Sequence, residues 1–343
     1  MTCRSRTLAA ACLSLTLLAA GTTARAAEPV KVRLTLDWKF EGPAALFLLA
    51  SRAGYFAAEG LDVTIDPGNG SAGAVNRVAS GAYDLGVADL NALIDYDVKN
   101  PGQAMKGVYM VYNHAPYAII ALKKSGIAKP ADLAGRKLGA PGFDAARKTW
   151  PAFAQHAKVP KDGVSWISMD APLREPMLVK GQVDAISGFA FTSLLNLGHA
   201  GVPASELVVF NYSDFGVKLY GNAVIVSPRF AAAHPEQVKA FLRALNRSIK
   251  AVVADPAAGI KAVKAADPSL DEELEQKRLG IALKQSVLTP DVRADGLGAV
   301  REARLKAAID EVVSSFGLAA TPKTSDIFDA AFLPAKPERL AGH

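Results

Sequence analysis

Ser80-Gly81-Ala82-Tyr83-Asp84-Leu85-Gly86-Val87-Ala88-Asp89 is echoed one hundred residues later by Lys180-Gly181-Gln182-Val183-Asp184-Ala185-Ile186-Ser187-Gly188-Phe189. Each stretch has the pattern of a helix end, a glycine stop, an aspartate turn and a short apolar strand. The residue that ends the strand differs, Asp89 in the first copy and Phe189 in the second. Because glycine is common after helices, the pair on its own also fits a chance match. The repeat favours two similar α/β lobes whose strands end at a shared cleft.

The residues around both copies alternate between strand and helix patterns. Apolar and polar residues alternate over 32–36 and 61–65, which predicts two strands. Gly42-Pro43 opens a helix between them, and Ser71 is placed to cap the helix that ends at Ser80. Further predicted elements are strands at 137–140, 164–168, 185–187 and 222–227 and helices at 145–157 and 172–180. This β-α-β-α-β order implies a mostly parallel sheet in each unit.

The same order predicts how the chain is divided. We expect a first lobe made of residues 27–120 and 223–343 and a second lobe made of residues 121–222. No low-complexity linker separates them, so the connections must be short, and residues 119–122 and 220–226 are the best candidates for crossing strands.

Residues 1–26 have the pattern of a secretory signal peptide. Arg4 and Arg6 precede an apolar run from Leu8 to Ala20, and Ala24-Arg25-Ala26 offers small residues around a cleavage site. The run is shorter than the roughly 18 residues that a membrane anchor needs. We therefore expect an exported protein of the periplasm with no direct membrane insertion.

The composition argues against several kinds of site. Both cysteines, Cys3 and Cys12, lie in the leader, so the remaining chain has no thiol for a disulfide, a thiolate metal site or a nucleophile. Removal of the leader lowers the formal net charge from +6 by three, to +3, which does not argue for nucleic-acid binding. The histidines lack metal-site spacing, and no Gly-x-Ser-x-Gly elbow is present. We expect no metal, no cofactor and no catalytic activity.

Several motifs resemble one known family. They are Leu36-Asp37-Trp38, Gly54-Tyr55-Phe56-Ala57-Ala58-Glu59-Gly60-Leu61-Asp62-Val63, the first copy of the repeat, Asp132-Leu133-Ala134-Gly135-Arg136-Lys137-Leu138-Gly139 and Arg174-Glu175-Pro176-Met177-Leu178. Together they resemble the solute-binding proteins of ABC importers in the aliphatic-sulfonate, nitrate and thiamine-pyrimidine-precursor group, the NMT1/THI5-like proteins. The similarity covers most of the chain after the leader.

The resemblance implies an α/β fold of the type II periplasmic binding protein kind, with two α/β lobes, two crossing strands and a ligand trapped by hinge closure. It also implies a small-molecule solute and, as partners, an ABC permease and its ATPase. We expect a monomer that binds no nucleic acid. Tyr55, Phe56 and Leu61 of the second motif are expected to pack in the core.

Ligands of open α/β sheets bind outside the carboxyl ends of the strands. The loops at those ends supply the candidate ligand-binding residues, which are Asp37, Trp38, Asn69, Gly70, Ser71, Asp89, Asn113, Phe143, Asp144 and Phe189.

Each candidate has an alternative role. Trp38 stacks on a flat heterocycle whose N–H groups bond to Asp37, or it closes the core of its own lobe. Asp89 accepts a bond from an amino group, or it caps the following helix. Phe143 and Phe189 cover the other face of the ligand, or they pack in the core. The backbone N–H groups at residues 69–71 suit an anion, although any capped helix begins this way.

A small planar, nitrogen-containing solute is the favoured ligand, because the candidate loops are acidic and aromatic. Arg77, Arg147 and Arg174 lie in predicted helices, so no loop provides an arginine clamp for an anion. An alkyl or aryl sulfonate, nitrate or another small organic anion is the alternative. A sensory role is a further alternative for the function. The fungal thiamine-pyrimidine synthase, which the chain resembles less, is disfavoured because its cysteine-rich segment has no counterpart after the leader.

Overall fold

Two five-stranded sheets organise the chain. The computed structural model describes residues 28–340, so the predicted signal peptide and both cysteines lie outside the described residues. The first sheet contains β1 (Val30–Thr35), β2 (Leu61–Asp66), β3 (Leu85–Asp89), β4 (Lys106–Met110) and the last strand of the chain, β10 (Asn222–Val226). The second sheet contains β5 (Tyr117–Leu122), β6 (Lys137–Ala140), β7 (Ser165–Ser168), β8 (Ala185–Phe189) and β9 (Leu207–Asn211).

The two sheets have the same topology. Their strand orders are β2-β1-β3-β10-β4 and β7-β6-β8-β5-β9. In the first, β10 runs antiparallel to both of its neighbours, and in the second β5 does the same. The α/β fold with two lobes joined by two crossing segments is therefore confirmed. Strands β4 and β9, which the sequence patterns did not predict, form the outer edges next to those antiparallel strands.

The repeated sequence occupies equivalent positions in the two sheets. Strands β3 and β8 lie third in their orders, and Gly81 and Gly181 both have positive φ, 76° and 69°. The Asp84 carboxylate accepts a 2.9 Å bond from the Arg33 N–H of β1, and the Asp184 carboxylate accepts a 2.8 Å bond from the Lys137 N–H of β6. Each Gly-x-x-Asp element thus turns the chain after a helix and fixes the next strand to its parallel neighbour.

Helices cover both faces of each sheet. Before β10 they are α1 (Ala45–Arg52), α2 (Tyr55–Ala58), α3 (Ser71–Ala79), α4 (Leu90–Lys99), α5 (Ala145–Lys148), α6 (Trp150–His156), α7 (Arg174–Val179) and α8 (Ala190–His199). After β10 come α9 (Pro228–Ala233), α10 (Pro235–Ala254), α11 (Pro256–Ala266), α12 (Glu272–Ala282), a π-helical turn (Leu283–Val287), α13 (Pro290–Asp295), α14 (Glu302–Phe316), α15 (Thr324–Ile327) and α16 (Lys336–Arg339). Of these described helices, none is long and apolar enough to cross a membrane.

The predicted helix at 145–157 is divided in the structure. Thr149 separates α5 from α6, and Pro151 stands in the first turn of α6, where a missing N–H costs no helical hydrogen bond. The predicted cap of α3 is also wrong. Gly70 occupies the cap position with φ of 114°, and the Ser71 side chain makes no capping bond. Phe56 and Leu61 are buried as predicted, and the Phe56 ring stacks on Phe241 of α10 at 5.0 Å.

The chain passes between the sheets in irregular segments rather than in the expected strands. All of β5 pairs within the second sheet and all of β10 within the first. The crossings are therefore residues 111–116 and 212–221, which contain no strand. Arg304 of α14 holds both together, because its guanidinium donates to the Asn113 carbonyl at 2.6 Å and to the Leu219 carbonyl at 3.4 Å and lies 4.1 Å from the Tyr220 ring centre.

Candidate functional site

A cleft lies between the lobes. Its first-lobe residues come from the loop after β1, the turn that leads into α1, α1 itself, β3, the start of α3 and the first residue of β10, and Val111 and Tyr112 of the first crossing segment join them. Its second-lobe residues come from the loop after β6 and the start of α5, the end of β8 and the starts of α7 and α8. The residues that face it are Leu36, Asp37, Trp38, Lys39, Glu41, Pro43, Ala44, Phe47, Gly70, Ser71, Val87, Val111, Tyr112, Phe143, Asp144, Ala145, Arg174, Phe189, Phe191, Thr192 and Asn222. Most are aromatic or apolar, with a few polar groups on each side.

The first-lobe side of the cleft contains a buried carboxyl–amide pair. Asn222 is 2% exposed, and its Nδ2 donates a 2.8 Å hydrogen bond to Asp37 Oδ2. The main chain of Asp37 is held as well, since its carbonyl accepts a 2.6 Å bond from the Gly70 N–H. Asn222 Oδ1 is buried and has no hydrogen-bond partner within residues 28–340. An unpaired buried acceptor costs free energy, so a ligand donor is favoured at this position.

Burial raises the pKa of Asp37 to about 7. The hydrogen bond from Asn222 offsets part of this rise, whereas the nearby carboxylates of Asp89 and Glu41 add to it. At neutral pH the Asp37 carboxyl is therefore close to half-protonated and can accept from, or donate to, a ligand. A ligand N–H group at this position favours the ionised form.

Trp38 presents a second unsatisfied group. Its Nε1 is buried without a hydrogen-bond partner among the described residues. The indole lies near the Glu41 carboxyl, whose pKa is raised by burial and partly lowered again by Arg278. Arg278 of α12 is 3.5 Å from Glu41 and also donates to the Thr192 carbonyl of the second lobe, at 3.3 Å. The buried Arg278 side chain thus joins the first lobe to the second beside this part of the cleft.

Aromatic rings from both lobes form much of the cleft surface. The Trp38 and Phe143 rings come from opposite lobes and have centres 6.2 Å apart at a tilt of 58°. Phe189 and Phe191 contact each other at 5.8 Å, and Tyr112 makes edge contacts with both at 6.3 and 6.2 Å. Flat apolar faces of this kind bind a planar ring by stacking and edge contacts.

The second-lobe side carries a compact set of charges. Arg174 is 3% exposed, and its Nε and Nη2 donate to Glu175 Oε1 at 3.0 and 2.8 Å. Its Nη1 lies 3.6 Å from Asp144 Oδ2. Asp144 Oδ1 accepts from the Arg147 N–H at 2.7 Å and from Ser187 Oγ at 2.8 Å. The cation is therefore already compensated by two carboxylates before any ligand binds.

Seven of the predicted site residues face the cleft, namely Asp37, Trp38, Gly70, Ser71, Phe143, Asp144 and Phe189. Asn69, Asp89 and Asn113 lie outside its lining. Asp89 is 1% exposed and accepts hydrogen bonds from the Asn91 N–H and the Tyr117 hydroxyl. It therefore caps α4, which is the alternative role expected for it. Burial raises its pKa to about 6.

The Asn113 side chain is hydrogen-bonded to other residues of the protein and does not line the cleft. Its Oδ1 accepts from Thr289 Oγ1 at 2.8 Å and from Arg304 Nη1 at 2.9 Å. Asn69 lies beside α3, with its Oδ1 3.2 Å from where a Cβ on Gly73 would stand. These two side chains belong to the crossing segment and to the start of α3.

Sequence reasoning missed several lining residues, among them Glu41, Arg174, Phe191 and Asn222. Phe191 lies two residues beyond the second copy of the repeat, so its position just after β8 was the available signal. Arg174 stands at the start of α7, and it fits there because Gly188 has no side chain: a Cβ would lie 2.5 Å from Arg174 Nη1. No sequence pattern predicts that Gly188 leaves room for the Arg174 side chain.

Metal ligands do not gather in the part of the chain that the structure describes. Within residues 28–340, no three His, Cys, Asp or Glu side chains are placed to hold an ion. The polar groups of the cleft include a carboxyl–amide pair on the first lobe and a guanidinium–carboxylate set on the second.

The profile of the NMT1/THI5-like family matches residues 43–259, which include every strand of the two sheets except β1 and most of the cleft lining. The chain belongs to this family. This NMT1/THI5-like protein is 25% identical over 263 residues to the formylaminopyrimidine-binding protein of Halalkalibacterium halodurans, covering 74% of this chain and 77% of that one. It is 24% identical over 262 residues to a 4-amino-5-hydroxymethyl-2-methylpyrimidine phosphate synthase of Saccharomyces cerevisiae, covering 72% and 74%.

Solved structures confirm the fold of the NMT1/THI5-like protein. The alkanesulfonate-binding protein SsuA of Xanthomonas axonopodis pv. citri, bound to MOPS, superposes with a TM-score of 0.67 at 17% identity, over 89% of this chain and 99% of that one. The periplasmic nitrate-binding protein NrtA of Synechocystis PCC 6803 superposes with a TM-score of 0.68 at 13% identity, over 89% and 87%. The chain thus shares the periplasmic binding protein fold with an alkanesulfonate-binding and a nitrate-binding protein.

Proposed function

We propose that this protein is an exported solute-binding protein of an ABC importer that closes around a small planar, nitrogen-containing solute related to the thiamine pyrimidine precursors. The observation that carries the proposal is the Asp37–Asn222 pair beside Trp38. It offers a carboxyl of raised pKa and a free amide oxygen, and in the same buried patch an indole N–H that lies near Glu41 and makes no hydrogen bond of normal length within residues 28–340. An amino group next to a ring nitrogen supplies the complementary donors and acceptor.

The aromatic surface supports the same class of ligand. Trp38 and Phe143 approach from opposite lobes, and Phe189 and Phe191 extend the apolar surface on the second lobe. A flat heterocycle that packs against these rings buries apolar surface while its edge contacts the polar patch. The relative named for formylaminopyrimidine binding supports this choice of ligand class.

A small organic anion is the alternative ligand, and Arg174 is the observation in its favour. A buried arginine in a cleft is a usual partner for sulfonate or carboxylate. Here, however, Glu175 and Asp144 already face that guanidinium, and Asp37 and Glu41 lie on the other side. Because Glu175 and Asp144 already compensate the Arg174 charge, this guanidinium attracts a free anion less strongly, and we favour the uncharged heterocycle.

An enzyme of the pyrimidine phosphate synthase kind is the alternative from another class. The yeast relative is named as such a synthase. The only cysteines of this chain are Cys3 and Cys12, both within the predicted leader, which argues against it. We propose binding without catalysis, in the periplasm and as a monomer, with delivery of the solute to a permease driven by an ATPase.

A thermal-shift screen of residues 28–343 tests the proposal. The panel contains aminopyrimidines, flavin precursors, aromatic acids, taurine and alkyl sulfonates. A ligand at 100 times its dissociation constant stabilises the folded state by about 2.7 kcal/mol. The proposal predicts shifts with the aminopyrimidines, and shifts confined to taurine and the alkyl sulfonates would select the anion alternative.

A further inference from the structure

Arg278 of α12 is held by two carboxylates of the first lobe. It is 1% exposed, and its Nε and Nη2 donate to the Glu275 carboxylate at 3.0 and 3.2 Å. Nε also lies 3.5 Å from Glu41 Oε2. Glu41 in turn lies 3.6 Å from Lys39 Nζ, so two cations face two carboxylates. The charge of Arg278 is therefore compensated within the first lobe.

The same guanidinium also bonds to α8 of the second lobe. Nη1 donates to the Thr192 carbonyl at 3.3 Å, and Nη2 donates to Asn196 Oδ1 at 3.1 Å. A rotation that opens the cleft moves α8 away from α12 and breaks both bonds. The bonds to Glu275 persist, because Glu275 and Arg278 lie on the same helix. The two bonds to α8 are thus contacts of the closed form alone.

The cluster lies directly behind the cleft lining. Glu41 and Thr192 face the cleft from opposite lobes, and the indole of Trp38 lies near Glu41. Arg278 lies behind these residues and outside the lining. A solute beside Trp38 is therefore close to the bonds that hold α8 without touching the guanidinium. This position suits a residue that acts on closure of the cleft.

The geometry of the guanidinium favours these bonds. Its Nε and Nη2 are already fixed by Glu275, so little side-chain freedom is lost when Nη1 and Nη2 donate to α8. Bonds from a charged donor are also stronger than those between neutral groups. Water replaces both acceptors when the lobes separate, so we expect each bond to shift the equilibrium toward the closed form by roughly two- to tenfold.

We propose that Arg278 is a closure latch, a positioning residue whose bonds to Thr192 and Asn196 set the fraction of solute-free protein that is closed. Through that fraction it also sets the affinity, because a protein whose binding-competent form is only partly populated binds more weakly in proportion. The inference rests on the proposed function in one respect, since it takes hinge closure as the binding step. It is independent of the identity of the solute.

The test changes the second-lobe partner of the latch. Removal of Arg278 itself would leave the buried Glu275 carboxylate without its cation and destabilise the fold irrespective of closure. Asn196→Ala removes one acceptor of the closed form, and Asn196→Asp keeps an acceptor at the same place. Asn100→Ala is the matched control, because the Asn100 amide donates a 2.9 Å bond to the Tyr96 carbonyl within the first lobe.

Two measurements on residues 28–343 report on the latch. Small-angle X-ray scattering without solute measures closure, and titration with 2-aminopyrimidine measures affinity. Asn196→Ala should have a larger radius of gyration than the wild type and bind the probe about three- to tenfold more weakly. Asn196→Asp should be at least as compact as the wild type and bind at least as tightly. Asn100→Ala should have the wild-type radius and an affinity within twofold.

The scattering decides the inference by itself. A wild-type radius of gyration in Asn196→Ala overturns the latch, and so does an equal increase in Asn196→Asp, since an acceptor at this position would then have no effect on closure. If 2-aminopyrimidine binds neither the wild type nor the variants, the proposed solute class fails. A larger radius in Asn196→Ala that Asn196→Asp reverses would support the latch in that case too.

Discussion

Asn222 Nδ2 donates a 2.8 Å hydrogen bond to Asp37 Oδ2 and thereby joins the start of β10 to the loop after β1. Asn222 is the residue at which the second crossing segment enters the first sheet. The bond therefore fixes the acidic group of the cleft to the connection between the lobes. The same bond leaves Asn222 Oδ1 buried and without a partner among the described residues.

The pH dependence of stability follows from the buried acids. Burial raises the pKa of Asp37 and Asp97 to about 7 and that of Asp89 to about 6, from an ordinary value of 3.8. Each carboxyl binds its proton more tightly in the folded state, so the contribution to stability is largest at low pH. It is lost as pH rises toward about 7. The free energy of unfolding in urea should fall between pH 5 and pH 7.

Single amide variants assign that slope. Asp37→Asn and Asp97→Asn should each reduce the change in unfolding free energy between pH 5 and pH 7, and the double variant should reduce it further. Asp267→Asn is the control, because hydrogen bonds from Ser269 lower the pKa of Asp267 and remove it from this pH range. A slope that all three single variants share with the wild type contradicts the assignment.

Trp38 is predicted to contribute both its ring and its N–H. Trp38→Phe keeps a stacking face and loses the free Nε1 donor, so the affinity for 2-aminopyrimidine should fall roughly 3- to 10-fold. Trp38→Ala should abolish the thermal shift by this probe. Trp166→Phe, in β7 and away from the cleft lining, serves as the matched control. An unchanged shift in Trp38→Ala assigns Trp38 to the core of its lobe.

Periodicity predicted most of the sheets because buried strands and helices have regular side-chain spacing. The loops after β1 and β6 were found by the rule that parallel strands bind ligands at their carboxyl ends. The same rule did not predict Asn222, because β10 is antiparallel. Its first residue, and not its last, lies opposite Asp89 at the carboxyl end of β3. The crossing segments were not predicted either. They contain no strand, so their sequences lack the regular alternation of apolar and polar residues that identifies one.

Gly70 is predicted to control the contact between the lobes. Its φ is 114°, and a Cβ there would overlap the Phe143 ring of the second lobe. Gly70→Ala should lower the affinity for 2-aminopyrimidine at least about tenfold, because closure is blocked and the backbone is strained by roughly 1–3 kcal/mol. Gly142→Ala, whose Cβ meets no atom within 4 Å, is the control and should stay within twofold of the wild type. Equal affinities of the two variants would contradict this role.

Asn113 is predicted to act on stability and not on affinity. Asn113→Ala removes the acceptor for Thr289 Oγ1 and Arg304 Nη1, and the free energy of unfolding should fall by about 1–3 kcal/mol. Since Asn113 lies outside the cleft lining, the dissociation constant for 2-aminopyrimidine should stay within twofold. A large loss of affinity without a change in the unfolding free energy would place Asn113 among the ligand contacts after all.

Asp37→Asn tests the central claim most directly, by titration with 2-aminopyrimidine at pH 8 together with urea unfolding at the same pH. The variant removes a buried carboxylate that is costly to ionise, so the free energy of unfolding should rise or stay unchanged. The affinity should nevertheless fall at least about tenfold, because the ligand amino group loses its charged acceptor. An affinity within twofold of the wild type would contradict the account, since the heterocycle would then bind without the Asp37–Asn222 pair.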